Sequence, residues 1–258
     1  MRLYHKQYGS GQPVIILDGL FGLADNWVTF AKKLAEKGCE VSIPDQRNHG
    51  HSPHSDVFNY LALTDDLMEF IEEHNIEDPV ILGHSMGGKV AMRFSLENPE
   101  IISKLIVVDI SMRQYTNRHF HKKIIQAMRA VDFGKASKLS DVEEQLEEYI
   151  PQKRIRMFIM KNLYYRDNRQ TLDWRINFEG ICDNMDEMFD KIEIDSKFDK
   201  PALFIRGGNS DYVSNDDIAT IKQHFTKSEI QSIEGASHWV HAEKPKEFNE
   251  LVFQFLED

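Results

Sequence analysis

Long apolar runs, cysteine pairs and an excess of positive charge are all missing from this chain of 258 residues. No stretch approaches the roughly 20 consecutive apolar residues of a membrane-spanning helix. The opening Met1-Arg2-Leu3-Tyr4-His5-Lys6-Gln7-Tyr8-Gly9 lacks the apolar core of a secretory leader. The two cysteines, Cys39 and Cys182, stand far apart and without metal-type spacing. That argues against a disulfide framework or a zinc site, and the expectation is two reduced thiols in a cytoplasmic protein. Lys and Arg number 31 against 42 Asp and Glu, a formal net charge of −11 with no basic stripe. Nucleic-acid binding depends on neutralising phosphates, so this balance argues against it, and against docking on an anionic membrane. Internal repeats and low-complexity tracts are also missing.

The composition, 41% hydrophobic, suits a globular fold with a large core. The first half alternates short β-like runs with helical patterns. Strands are expected over 14–17, 40–43, 79–82 and 104–108, with an antiparallel edge strand over 3–8. Helices are expected over 26–37, with Trp27, Phe30, Ala31, Leu34 and Ala35 on one face, over 60–74, and after residue 88. The rhythm returns late in the chain with strands over 202–205 and 229–233 and helices over 216–225 and 245–256. Such alternation predicts an α/β fold, a mostly parallel central sheet with helices on both faces. Residues 112–198 carry helical patterns and no convincing strand. They are expected to form a helical cap inserted into a core of residues 1–111 and 199–258. Of their apolar residues, among them Met157, Phe158, Met160, Leu163, Tyr164, Tyr165 and Trp174, most should hold the cap together and a few should wall a pocket.

Chemistry is concentrated in Gly83-His84-Ser85-Met86-Gly87-Gly88, between a strand pattern and a helix pattern. A G-x-S-x-G turn in that setting is the layout of a nucleophile elbow. Ser85 is the candidate nucleophile, the glycines make room for a sharp turn, and His84 is expected to be structural. A serine hydroxyl needs a base. His238, after the last strand pattern in Gly235-Ala236-Ser237-His238-Trp239-Val240-His241, is the candidate, with His241 as its rival in a structural role. The acid that orients the base is expected to be Asp109, directly after strand 104–108, with Asp211 as the rival and Ser210 as a hydrogen-bonding auxiliary. Asp18-Gly19-Leu20-Phe21-Gly22 follows the strand at 14–17. The amides of Leu20 and Met86 are expected to form an oxyanion hole. Phe21 is a second candidate donor or a pocket wall, and Trp239 a substrate contact. A carboxylate facing the hole would oppose the oxyanion, so the Asp18 side chain should point away and tie down its loop. The segment 44–52 reads as a structural loop, and Glu143, Glu144, Glu147 and Glu148 as a solvated helix face.

Together these residues resemble the α/β-hydrolase superfamily over essentially the whole chain. The stretches Gly207-Gly208-Asn209-Ser210 and His238-Trp239-Val240-His241-Ala242-Glu243-Lys244-Pro245 are similar to the YbfF-like esterases. The resemblance implies serine hydrolysis of carboxylic esters and acyl thioesters, fatty acyl-CoA included, with no cofactor and a small-molecule substrate. It implies Ser85 as nucleophile, His238 as base and Asp109 as acid, with Ser210 nearby. The chain departs from the family at Asp18, where histidine is usual. A carbon–carbon bond hydrolase, using Arg113 or Arg175 for a substrate carboxylate, is the rival enzyme. A catalytically silent binding protein is the rival of another class. Neither oligomeric state nor natural substrate is legible.

Overall fold

The structure is a computed structural model that describes residues 1–166 and 171–257. Seven strands form one sheet in the order β1-β3-β2-β4-β5-β8-β9. They are β1 (His5–Gly9), β2 (Gln12–Leu17), β3 (Cys39–Pro44), β4 (Val80–His84), β5 (Lys104–Val108), β8 (Phe198–Gly207) and β9 (Phe225–Ile233). All neighbours run parallel except β1, which pairs antiparallel with β3 (His5 opposite Pro44). The helices of this part are α1 (Val28–Glu36), α2 (Tyr60–Glu73), α3 (Met86–Glu97), α9 (Asp217–His224), the short α10 (Val240–Glu243) and α11 (Pro245–Glu257). The α/β-hydrolase architecture expected from the alternation is the one observed.

The continuous apolar strands are explained by burial on both faces. Side chains alternate along a strand. Ile15, Leu17, Ile81, Leu105 and Val107 pack against α2 and α3, while Val14, Ile16, Leu82, Ile106 and Val108 pack against α1 and α11. The Asn59 side chain caps α2 by accepting from the Ala62 amide at 2.9 Å, which satisfies a donor the helix itself leaves open.

Between β5 and β8 lie α4 (His119–Ala130), α5 (Leu139–Glu147), α6 (Lys153–Met160), β6 (Leu163–Arg166), β7 (Thr171–Trp174), α7 (Phe178–Asp183) and α8 (Met185–Phe189). The antiparallel pair β6–β7 corrects the expectation of no strand here. Each arm has only four residues, too few for an alternating pattern to stand out. Of the glutamates expected on a solvated face, Glu144, Glu147 and Glu148 are exposed and Glu143 is half-buried; Glu147 and Glu143 also pair with the buried Arg156 guanidinium at 2.8 and 3.5 Å. Of the helical patterns, residues 26–37 resolve into a 3-10 turn (Ala24–Asn26) followed by α1.

Lys89 of α3 joins this insertion to the sheet. Its side chain is buried between the rings of Tyr60 and Tyr115. Its ammonium donates to the Arg113 carbonyl at 3.0 Å and to the Asp190 carbonyl, the two places where the chain leaves and rejoins the sheet region. Burial lowers its pKa to about 7, with Asp190 opposing and Arg113 adding to the shift.

Helix α3 approaches the end of β2 closely. A Cβ on Gly87 would lie 2.2 Å from the Leu17 carbonyl oxygen and 2.6 Å from that of Asp18. These are backbone atoms of a central strand and cannot step aside. Gly87→Ala should therefore destabilise the fold by about 2 kcal/mol or more, read as a lower urea midpoint. A midpoint equal to the parent's would contradict this packing.

Candidate active site

Strand β4 ends at His84 and α3 starts at Met86, so Ser85 alone turns the chain. Its backbone has φ +53° and ψ −117°, a left-handed conformation that costs a residue with a side chain of order 1–3 kcal/mol. The turn is held by the Ser85 amide donating to the Val108 carbonyl at 3.0 Å. It is also held by the missing side chain of Gly83, whose Cβ would lie 2.2 Å from the Gly87 carbonyl oxygen.

The loop after β9 brings His238 to Ser85. Nε2 of His238 stands 2.9 Å from the Ser85 hydroxyl oxygen, and Nδ1 stands 2.8 Å from Oδ2 of Asp109. Asp109 leaves β5 with φ +50° and is fully buried. Its Oδ1 accepts from the Gly207 amide at 2.9 Å, and Oδ2 also accepts from the Ser210 hydroxyl. Asp211 points its side chain to solvent and offers only its carbonyl, to Arg113 at 2.7 Å. Of the two acids weighed from sequence, Asp109 is the one in contact with the imidazole. The ring is further fixed by Tyr212, stacked on it at 3.8 Å, and by Nε2 of His84, which bonds the His238 carbonyl at 2.9 Å. Burial lowers the His238 pKa below its ordinary 6.5, with the hydrogen bond to Asp109 opposing. The ring is therefore neutral at pH 7. With Nδ1 donating to the carboxylate, Nε2 is left as an acceptor for the serine proton.

His241 stacks on Trp27 at 4.1 Å, behind His84 and away from Ser85. Asp18 turns away from the nucleophile. Its Oδ1 accepts from the Gly19 amide and its Oδ2 from the Asn26 side chain, both at 2.7 Å. Burial alone would raise its pKa. The imidazoles of His84 and His241 and the Asn26 amide outweigh that and hold the carboxyl at about 2. Gly19 presses on the elbow, since a Cβ there would lie 3.1 Å from that of Ser85. Among the described residues, neither the Leu20 nor the Met86 amide has a hydrogen-bond acceptor within the protein. The Phe21 amide differs, because it donates to Nε2 of His49 at 3.1 Å. That corrects its candidacy as an oxyanion donor and leaves it as a wall. His49 in turn donates from Nδ1 to the Arg47 carbonyl at 2.9 Å. The Gln46 side chain holds the Asp18 carbonyl at 2.7 Å, and Asp45 holds the Ala24 amide at 2.7 Å. The 44–52 segment is thus the brace of the 18–22 loop.

Comparison with known proteins identifies the fold and the family. The family model of the alpha/beta hydrolase fold matches residues 12–138. The sn-1-specific diacylglycerol lipase ABHD11 of Danio rerio is 37% identical, over 96% of this chain and 80% of its own length. Esterase YbfF of Escherichia coli is 32% identical, over 96% of this chain and 94% of its own. A solved marine microorganism esterase superposes with a TM-score of 0.94 at 40% identity, over 98% of both chains. The chain belongs to the α/β-hydrolase family, among its YbfF-like esterases.

Two spaces open on the site of this α/β-hydrolase. A small chamber of about 20 Å³ lies over Ser85, with Leu20, Phe21, Phe120, Phe158 and Trp239 in its walls. A cavity of about 570 Å³ lies beyond His238, with Ser210, Tyr149, Ile155, Arg113 and Lys123 among its linings. Phe120, Ile124, His238 and Trp239 line both, so the larger space adjoins the chamber without itself touching Ser85. Of the cap residues named from sequence, Phe158 faces the chamber, whereas Met157 and Tyr165 are exposed. Phe120, His121 and Ile124 of α4 were not legible as site residues. Their only signal is a one-sided apolar spacing, which any packed helix shows. Arg113 pairs with Asp217 at 3.3 Å, and Arg175 lies against His51 and Tyr164 outside both spaces. Among the described residues, no cluster of His, Cys, Asp and Glu is arranged to hold a metal ion, and no helix is long and apolar enough to cross a membrane.

Burial keeps three further imidazoles neutral, lowering His49 to about 4 and His121 and His241 to about 3 from an ordinary 6.5. The unfolded chain therefore binds more protons than the folded one between those values. Stability present above pH 6.5 drains away as the pH falls toward 3. Urea midpoints should fall steadily from pH 7 to pH 4, and His241→Phe should flatten that fall. A flat midpoint in the parent over this range would refute the assignment.

Proposed function

We propose that this α/β-hydrolase is a serine esterase that cleaves carboxylic esters and, by the same steps, acyl thioesters. The observation that carries the reading is the unbroken hydrogen-bond chain from Ser85 through His238 to Asp109, beside two amides with no partner in the described protein. The esterase and lipase relatives support it.

Ser85 Oγ attacks the acyl carbon while His238 Nε2 takes its proton. Asp109 stabilises the imidazolium that results and keeps the ring in the needed tautomer. The Leu20 and Met86 amides receive the oxyanion. Each such donor is worth about a hundredfold or more in turnover. Collapse of the tetrahedral intermediate breaks the bond to the leaving group, and His238 returns its proton to the departing alkoxide. A thiolate, the better leaving group, departs with less need of that proton. Water then attacks the acyl-enzyme along the same path, giving its proton to His238 and releasing the acid. No step calls for a cofactor. The long part of the substrate lies in the larger cavity, since the chamber over Ser85 has room only for the reacting group.

The carbon–carbon hydrolase is less favoured. Of the two arginines that could hold a substrate carboxylate, Arg113 is engaged by Asp217 and the Asp211 carbonyl, and Arg175 is outside the site.

Fluorophosphonate should label the folded protein at Ser85, and Ser85→Ala should abolish labelling. An unlabelled, folded parent would return the binding-protein reading. Asp109→Asn should lower p-nitrophenyl butyrate turnover by roughly a thousandfold or more, with Asp211→Asn within about threefold of the parent; the opposite ranking would remove Asp109 from its role.

Because His238 titrates below 6.5, kcat/KM should be level near pH 7 and fall on the acid side with a midpoint under 6.5. A midpoint above 7 would contradict a base kept neutral by burial.

A further inference from the structure

On either side of the Leu20 amide the 18–22 loop is fastened, and one of the fastenings comes from a distant stretch of chain. Phe21 has φ +64°, a left-handed backbone that a residue with a side chain keeps only where its surroundings hold it. Its amide is held by His49. Its carbonyl is held by Asn162, whose Nδ2 donates to it at 2.8 Å across 141 residues of sequence. Asn162 sits in the turn between α6 and β6 and is fully buried.

The Asn162 side chain is spent on this bond. Nδ2 faces two carbonyls, that of Phe21 and, at 3.3 Å, that of Ile159, so the nitrogen is the amide atom on that side. Oδ1 is buried and has no partner among the described residues. A leucine of similar size would leave no acceptor unpaired, so packing alone does not account for an amide here. The backbone beneath it is firmly mounted. Its own amide donates to the Ile159 carbonyl at 3.0 Å, and its carbonyl accepts from the Arg175 amide at 2.7 Å. The preceding residue reaches the other end of the same loop. Lys161 donates to the Asn26 side-chain oxygen at 2.8 Å, Asn26 donates to Oδ2 of Asp18, and Oδ1 of that carboxylate accepts from the Gly19 amide. Leu20 therefore lies between two points tied to a single turn of the stretch between β5 and β8.

We propose that Asn162 is a positioning residue for the reaction: by holding the Phe21 carbonyl it keeps the left-handed turn that aims the Leu20 amide at the oxyanion. It touches no reacting atom and acts through the loop. An oxyanion donor works only at hydrogen-bond distance from the developing charge, and a misplacement of about 1 Å costs on the order of a hundredfold in rate. The stretch between β5 and β8 thus sets the rate of the chemistry as well as walling the chamber, where Phe158 of α6 stands. The inference rests on the serine-esterase reading and deepens it.

Two variants test it, so that one failing to fold leaves the other. Asn162→Leu keeps the volume and removes the donor, and Asn162→Asp keeps the shape and, ionised, cannot donate. Either, once its urea midpoint shows it folded, should lower kcat on p-nitrophenyl butyrate by about tenfold to a hundredfold, with KM within about threefold of the parent. A propyl trifluoromethyl ketone gives the readout that a merely structural role would not move. Ser85 Oγ adds to its carbonyl carbon, the serine proton passes to His238, and the carbonyl π pair becomes an oxyanion in the hole. Its Ki should rise by about the factor by which kcat/KM falls. Asn162→Gln, which keeps an N–H donor, should recover part of both. A kcat within about threefold of the parent in the folded variants, an effect confined to KM, or a fall in kcat with Ki unmoved would overturn the proposal and leave Asn162 a packing residue. A parent that hydrolyses no ester and resists fluorophosphonate would instead overturn the serine-esterase reading itself.

Discussion

A fully buried carboxylate at the end of β5 is the constraint on which the rest of the site depends. Moving a charge out of water is costly unless it is paired and hydrogen-bonded. Asp109 meets that demand with the Gly207 amide, the Ser210 hydroxyl and Nδ1 of His238. Those partners come from β8, from the loop that follows it, and from the loop after β9. The need to satisfy one carboxylate thus fastens three stretches of chain at the carboxyl edge of the sheet. Ser85 reaches the same place because its amide bonds Val108, the residue before Asp109. The left-handed backbone of both Ser85 and Asp109 is strain that this network holds in place.

The other half of the site is organised around an unfilled need. The 18–22 loop leaves its Leu20 amide without a partner among the described residues, while its other polar groups are tied elsewhere. Asp18 is occupied by Gly19 and Asn26, and Phe21 by His49. The buried Asp18 carboxylate is accommodated because it accepts from Asn26, with His84 and His241 beside it. Lys89 binds the Arg113 and Asp190 carbonyls, near the two ends of the stretch between β5 and β8. Helix α4 then lowers Phe120, His121 and Ile124 over the nucleophile.

Much of this was legible along the chain. The glycine spacing around Ser85 announced a tight turn, and the apolar runs on each side announced its strand and helix. The strands over 14–17, 104–108 and 202–205 were visible because burial on both faces demands unbroken apolar residues. The β6–β7 hairpin was not visible, since four-residue arms carry too little periodicity and their pairing is a contact between segments. Which of its two expected roles Phe21 takes was not legible, because the acceptor of its amide, His49, lies 28 residues away in a segment with no pattern of its own. His121 was invisible for the same reason. Nothing in the helical spacing of Phe120, His121 and Ile124 distinguishes a side chain that faces a cavity from one that faces a neighbouring helix.

The sequence by itself determined which residues are able to do chemistry, because a hydroxyl on a glycine-flanked turn and an imidazole after a terminal strand are local features. It also determined the layered α/β architecture, because burial patterns are written in hydrophobic periodicity. Only the tertiary structure decided between Asp109 and Asp211 as the partner of the imidazole. A single step along a loop redirects a side chain from the core to solvent, and no local pattern records that direction. The contribution of α4 to the chamber was likewise settled in three dimensions, since the shape of a chamber is a property of the surfaces that meet, and each surface is contributed by a different part of the chain.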